Sequence, residues 1–144
     1  MGDLKVFTIQ GRLNRKPYII LSFALTVTLL FILMLFEQAK EKFIIMNESD
    51  FISKVSESDI DIILLVVLLI IALVVLIFIG NVTLSIRRLH DLNLSGWWYM
   101  LIFILTNLSN STILDLIALG FYIYLIFKRG TAGENKYGAD PLSE

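Results

Sequence analysis

The residues best suited to chemistry fall in three short segments of this chain. The first is Gly11-Arg12-Leu13-Asn14-Arg15. The second is Arg87-Arg88-Leu89-His90-Asp91, followed closely by Ser95-Gly96-Trp97-Trp98. The third is Gly130-Thr131-Ala132-Gly133-Glu134-Asn135-Lys136-Tyr137-Gly138-Ala139-Asp140-Pro141. Arg12 and Arg15 are three apart and share a face if that stretch is helical. Arginine contacts phosphate through two parallel N–H groups. The pair therefore reads as a plain basic anchor or as a clamp for a lipid phosphate.

Arg87 and Arg88 suit the C-terminus of a helix, where cations complement the macrodipole. Neighbours on a helix point about 100° apart. One of the two is expected to face the protein and to pair with Asp91 or Asp140; contact with a ligand is the other reading. His90 beside Asp91 is a poor base–orienter pair, because adjacent helical residues do not face each other. Ser95 completes a Ser/His/Asp inventory, but a Ser before Gly-Trp reads better as a helix cap. No catalytic residue is assigned. His90 is expected in a structural hydrogen bond, with a pH-sensing role open. Trp97 and Trp98 read as an interfacial aromatic belt or as the wall of a ligand pocket. The tail, with Gly130, Gly133, Gly138, Asn135 and Asp140-Pro141, is turn chemistry. It lacks the strand–helix setting of a phosphate loop. Its glycines would let it lie close against the arginine-bearing segments, and Asn135, Tyr137 and Asp140 join the binding candidates.

Composition removes several function classes. The 144 residues contain no Cys, so disulfides, thiolate metal sites and cysteine nucleophiles are out. One His makes a His-rich metal site within one chain unexpected, and no cofactor is predicted. A net charge of −1 supplies no basic field for nucleic acid.

The elements that must position these segments are membrane helices. Ile62–Ile79 contains no polar side chain. Its 18 residues rise about 27 Å as a helix, close to the thickness of bilayer hydrocarbon. Tyr18–Phe36 is a second long apolar run, broken only by Ser22, Thr26 and Thr28, with Pro17 suited to a first turn. No cleavable secretory signal is read there; the run is expected as a retained helix. Trp97–Leu108 and Ile113–Phe127 flank the polar stretch Asn107–Thr112. One helix across both would be about 46 Å long, so two helices and a tight turn are predicted. Thr112 is the expected N-cap, with Asp115 three residues on. Asp115, the only acid inside a predicted span, reads as a cap or as a functional intramembrane acid. Residues 37–61 carry seven acids and three lysines, with Phe43, Ile44, Ile45, Met46, Phe51, Ile52 and Val55 suggesting helical parts. Ser58 with Asp61 suggests a helix start.

Basic residues mark the cytoplasmic side. Residues 1–17, 80–96 and 128–144 hold nine of the twelve Lys and Arg. The expectation is an all-α membrane protein, a bundle of four transmembrane helices with N and C termini in the cytoplasm. Residues 1–144 form one integral membrane domain. Its spans are about 18–36, 62–84, 97–108 and 113–127, with an external loop at 37–61 and a cytoplasmic tail at 128–144. The three motif segments then share one side and can meet in a layer at the membrane surface.

The pattern GRxxR before the first span, RRLHDxxxSGWW between the middle spans and a GxxGxNxYGxDP-like tail resembles the domain of unknown function 805 family, small YhaH-like bacterial inner-membrane proteins. The resemblance covers nearly the whole chain, and is weakest at 37–61. It implies a multi-pass location in the bacterial inner (plasma) membrane and supplies no catalytic assignment.

Three functional classes stand. One is a non-enzymatic protein whose layer of Arg, His, Asp, Trp and Gly binds an anionic phospholipid headgroup or a membrane partner protein. The second is a small transporter or channel built as a homo-oligomer, since the spans hold no midplane charge. The third is a lipid-modifying enzyme, which lacks a spaced acid–base pair. The first is preferred.

Overall fold

The computed structural model describes residues 6–45, 57–109 and 111–142. About three quarters of these residues are helical. In chain order the helices are α1 (Arg15–Ile45), α2 (Glu57–Asp91), α3 (Trp97–Leu108) and α4 (Thr112–Phe127). α1 and α2 are long and apolar enough to cross a membrane. α3 and α4 are shorter, about 18 and 24 Å at 1.5 Å per residue. Both long helices overrun the expected spans, because the polar residues flanking each apolar run continue the helix. Ser58 lies inside α2 and does not precede it. Phe51, Ile52 and Val55 lie outside the described residues, as do the side chains of Phe43, Ile44, Ile45 and Met46.

The chain divides into two compact units. Ala24–Phe78 comprises the apolar lengths of α1 and α2. Its large apolar side chains, Leu30, Phe31, Leu64 and Leu69 among them, are exposed. Such a surface suits a lipid environment and would be costly in water. The other unit, Met1–Phe23 with Ile79–Glu144, carries the polar structure. Its core holds Leu13, Tyr18, Leu84, Leu89, Leu92, Tyr99 and Leu125. α3 packs on α4, with Tyr99 edge-on to Tyr122 at 6.3 Å between ring centres.

The end of α2 is built in detail. Asn93 adopts φ 58, a left-handed conformation that Asn tolerates better than most residues. Leu94 N donates to Leu89 O at 2.9 Å, and Asn93 N to His90 O at 3.0 Å. This is a Schellman stop. Two further carbonyls of the last turns are taken from outside the helix. Leu13 N donates to Arg87 O at 3.1 Å, and Thr131 N donates to Asp91 O at 2.8 Å. Thus the N-terminal segment and the tail are both fastened to the helix end, where free carbonyls are available.

Two cap predictions shift by one residue. Ser111, not Thr112, precedes α4, with extended backbone and no side-chain cap bond. Asp115 stands in the first turn, where its charge favours the helix dipole. Gly96, not Ser95, occupies the cap position of α3. Ser95 Oγ instead accepts a long bond, 3.4 Å, from Trp97 N, because the α2–α3 turn ends one residue later than a Ser cap needs.

Candidate functional site

Asp91 is the hinge of the polar unit. It is the last residue of α2, and its carboxylate is buried against two arginines from different parts of the chain. Arg12 Nε donates to Oδ1 at 3.1 Å, with Nη2 3.0 Å from the same oxygen. Arg88 Nη1 donates to Oδ2 at 2.5 Å. The spacing of Arg88 and Asp91, one helical turn, makes the second pair local. The first closes across 79 positions of sequence.

Backbone carbonyls complete both guanidinium groups. Arg12 Nη1 donates to Gly133 O at 2.5 Å and, more weakly, to Gly138 O at 3.4 Å, and Nη2 donates to Thr131 O. Arg88 Nε donates to Leu125 O at 2.8 Å, and Nη2 to Lys128 O. Gly133 and Gly138 have φ of 73° and 129°, conformations that L side chains rarely adopt. These turn the tail so that its carbonyls point at Arg12. Gly130 is held to bare backbone for a different reason: a Cβ there would collide with Asp91 Oδ2.

The expectation that only one of Arg87 and Arg88 faces the protein is overturned. Both are buried. The helix end is enclosed on two sides, so a 100° separation keeps both covered. Arg87 Nη2 reaches Arg12 O at 3.4 Å, while Arg88 turns to the end of α4. The condition for a shared face of Arg12 and Arg15, a helical stretch, is not met. α1 begins at Arg15, and Arg12 sits in the irregular segment before it, so the two point into different surroundings. Arg12 is wholly engaged by protein. Arg15 lines a cavity of about 270 Å³ with Asn14, Arg129, Thr131 and Asp140.

His90 Nδ1 lies 3.3 Å from Gly11 O. A carbonyl only accepts, so Nδ1 carries the proton. The ring stacks on Tyr137, 3.8 Å between centres and 7° from parallel. Asn135 Nδ2 donates to His90 O at 3.0 Å and to Thr131 Oγ1 at 2.8 Å, and its Oδ1 accepts from Tyr137 N. The two oxygens of Asp140 accept from Gly133 N and Leu142 N, each at 2.9 Å. Those bonds hold its carboxyl below the ordinary aspartate range. Trp97 and Trp98 are exposed and take no part in the Asp91 cluster. Residues that side-chain reasoning did not single out are Thr131, whose N–H and hydroxyl both reach Asp91 O, and the carbonyls of Leu125 and Lys128.

Burial pushes the His90 imidazole below its usual value, assisted by Lys136 and opposed by Gly11 O. The unfolded chain then takes up a proton near pH 6.5 while the folded one does not. Stability from this group is present above that pH and lost as pH falls through the window. The chain has one His. Its melting temperature is expected to drop between pH 7.5 and 5.5, and His90→Gln to flatten that slope. A variant with the same slope would dismiss the assignment.

The family described as "Protein of unknown function (DUF805)" matches residues 6–139. The chain is 36% identical over 66 residues to inner membrane protein YhaI of Escherichia coli (strain K12), covering 44% of this chain and 46% of that one. It is 33% identical over 72 residues to inner membrane protein YhaH of the same organism, covering 49% and 50%. The chain thus spans about half the length of the curated relatives it matches. No solved structure matches it.

Proposed function

We propose, from the premise that the chain belongs to the DUF805 family of proteins of unknown function, that it is a multi-pass bacterial inner-membrane protein without enzymatic activity. Its motif segments form a closed platform on the cytoplasmic face, and that platform holds the headgroup of an anionic phospholipid. The inner-membrane names of its relatives and the two long apolar helices support the location. The basic bias of residues 1–17, 80–96 and 128–144 supports cytoplasmic termini. The α3–α4 hairpin supplies the remaining two spans, with local thinning of the bilayer around its short helices.

The observation that carries the lipid reading is the cavity bordered by both Arg15 and Arg129. Arg12 and Arg88 spend their N–H groups on Asp91 and on carbonyls, so they build the platform and do not bind the headgroup. Asp140 also borders the cavity, and the Gly133 and Leu142 N–H groups offset part of its charge. The engagement of Asp91 by two arginines, and of His90 by Gly11 O, supports a structural role for both and no acid–base pair.

A basic side chain at an anionic membrane surface contributes about 1 kcal/mol, so the pair is worth about 2 kcal/mol, or roughly thirtyfold in affinity. Arg15→Gln with Arg129→Gln is expected to strip phosphatidylglycerol and cardiolipin from the purified protein, read by mass spectrometry of co-purified lipid, while its melting temperature holds. Unchanged anionic lipid in the double variant would sink the reading.

A further inference from the structure

Two neighbouring cavities beside α3 are untouched by the Asp91 cluster. One, about 360 Å³, is lined by His90, Ser95, Trp97, Met100 and Tyr137 among others. The second, about 390 Å³, is lined by Trp97, Trp98, Met100, Leu101 and Ile104. Trp97 and Met100 border both. Positions 97, 100, 101 and 104 follow the spacing of one helix face, about 10 Å along α3. The two cavities are thus consecutive parts of one groove, polar at the His90 end and apolar beyond it.

The polar end has a specific chemistry. No Lys, Arg, Asp or Glu lines either cavity, and the Lys136 ammonium beside the first is engaged over the Tyr137 ring, 4.9 Å from its centre. With its proton on Nδ1, a neutral His90 leaves Nε2 as an acceptor, and Nε2 has no partner among the described residues. Ser95 Oγ accepts from Trp97 N, which leaves its own O–H to donate. One acceptor and one donor lining the same cavity fit a hydroxyl, which both donates and accepts. A carboxylate or phosphate can only accept, and an ammonium can only donate. Beyond the hydroxyl, the exposed Trp97 and Trp98 with Met100, Leu101 and Ile104 offer an apolar wall for a hydrocarbon tail. We infer that the groove along α3 binds an uncharged, hydroxyl-headed amphiphile, its O–H on Nε2 of His90 and its tail against Trp97, Leu101 and Ile104. This site is separate from the Arg15–Arg129 cavity and does not depend on it.

Trp97 and Trp98 are the two tryptophans of the chain, so intrinsic fluorescence reads the groove directly. The full chain is placed in phosphatidylcholine vesicles, whose headgroups lack hydroxyls. It is titrated with 11-bromoundecan-1-ol, 11-bromoundecanoate and 1-bromoundecane, whose bromine quenches tryptophan. Saturable quenching by the alcohol is expected at concentrations about tenfold below the other two. His90→Phe is expected to erase that preference and His90→Gln, which keeps an acceptor, to retain part of it. Ser95→Ala tests the donor without touching the His90–Tyr137 stack and is expected to lower the preference severalfold. Equal quenching by all three probes in the unaltered chain, or a preference for the carboxylate, overturns the inference. So does an alcohol preference that survives both His90→Phe and Ser95→Ala.

Discussion

Asp91→Ala is expected to cost about 3–5 kcal/mol, the range for removing one partner of a buried ionic cluster. Asp91 supplies a carboxylate to both Arg12 and Arg88, and all three side chains are buried. Without it, two guanidinium groups remain in a space built for their neutralisation. The loss is also topological. Arg12 fastens the N-terminal segment, and through Thr131, Gly133 and Gly138 it fastens the tail to the same point. The variant should therefore lose the packing of both segments on α2. Thermal unfolding of the detergent-solubilised chain would show a large drop, and trypsin should cut faster at Lys128, Arg129 and Lys136. Asp91→Asn keeps the shape but not the charge and is expected to fall in the same direction by a smaller amount. An Asp91→Ala protein that melts with the parent and resists trypsin equally would remove the cluster from its structural role.

Gly130→Ala adds one methyl group and is expected to be nearly as damaging. Its Cβ would collide with Asp91 Oδ2 and meet Cγ at 2.6 Å and Oδ1 at 2.8 Å. A flexible side-chain end could swing away from such a contact. This one cannot, because Arg12 and Arg88 hold its two oxygens. Relief must come from the tail backbone, which is tied to Asp91 O through Thr131 N one residue later. Overpacking ordinarily costs about 1–3 kcal/mol, and the upper end is expected here. Gly120→Ala serves as the control. It lies inside α4 with nothing within 4 Å of its Cβ, so it should gain up to about 1 kcal/mol from helix propensity. Opposite shifts in melting temperature for the two Gly→Ala variants would separate a steric effect at Asp91 from any general effect of the substitution. Equal shifts would refute it.

The sequence by itself determined the elements. A run without polar side chains, such as Ile62–Ile79, leaves its backbone only a helix to satisfy itself in hydrocarbon. The limits of α3 at Trp97 and Leu108 and of α4 at Phe127 were legible because polar turns bracket short apolar runs. The tail's glycines announced turns. A pair between an arginine at the end of α2 and Asp91 was one reading, but the sequence did not choose between Arg87 and Arg88 or between Asp91 and Asp140.

Tertiary structure alone decided how the arginines are used. Periodicity describes one helix and one covered face, so it could not foresee a helix end wrapped on two sides, with Arg87 and Arg88 both buried. It grouped Arg12 with Arg15, yet one completes an ionic cluster and the other borders a cavity, because α1 starts only at Arg15. Most acceptors for Arg12 and Arg88 are backbone carbonyls of residues 125, 128, 131, 133 and 138. Every residue carries a carbonyl, so such partners leave no mark in the pattern of side chains. Asp91 is one carboxylate among several in the sequence, and only the meeting of three distant segments makes it the point on which they are fastened.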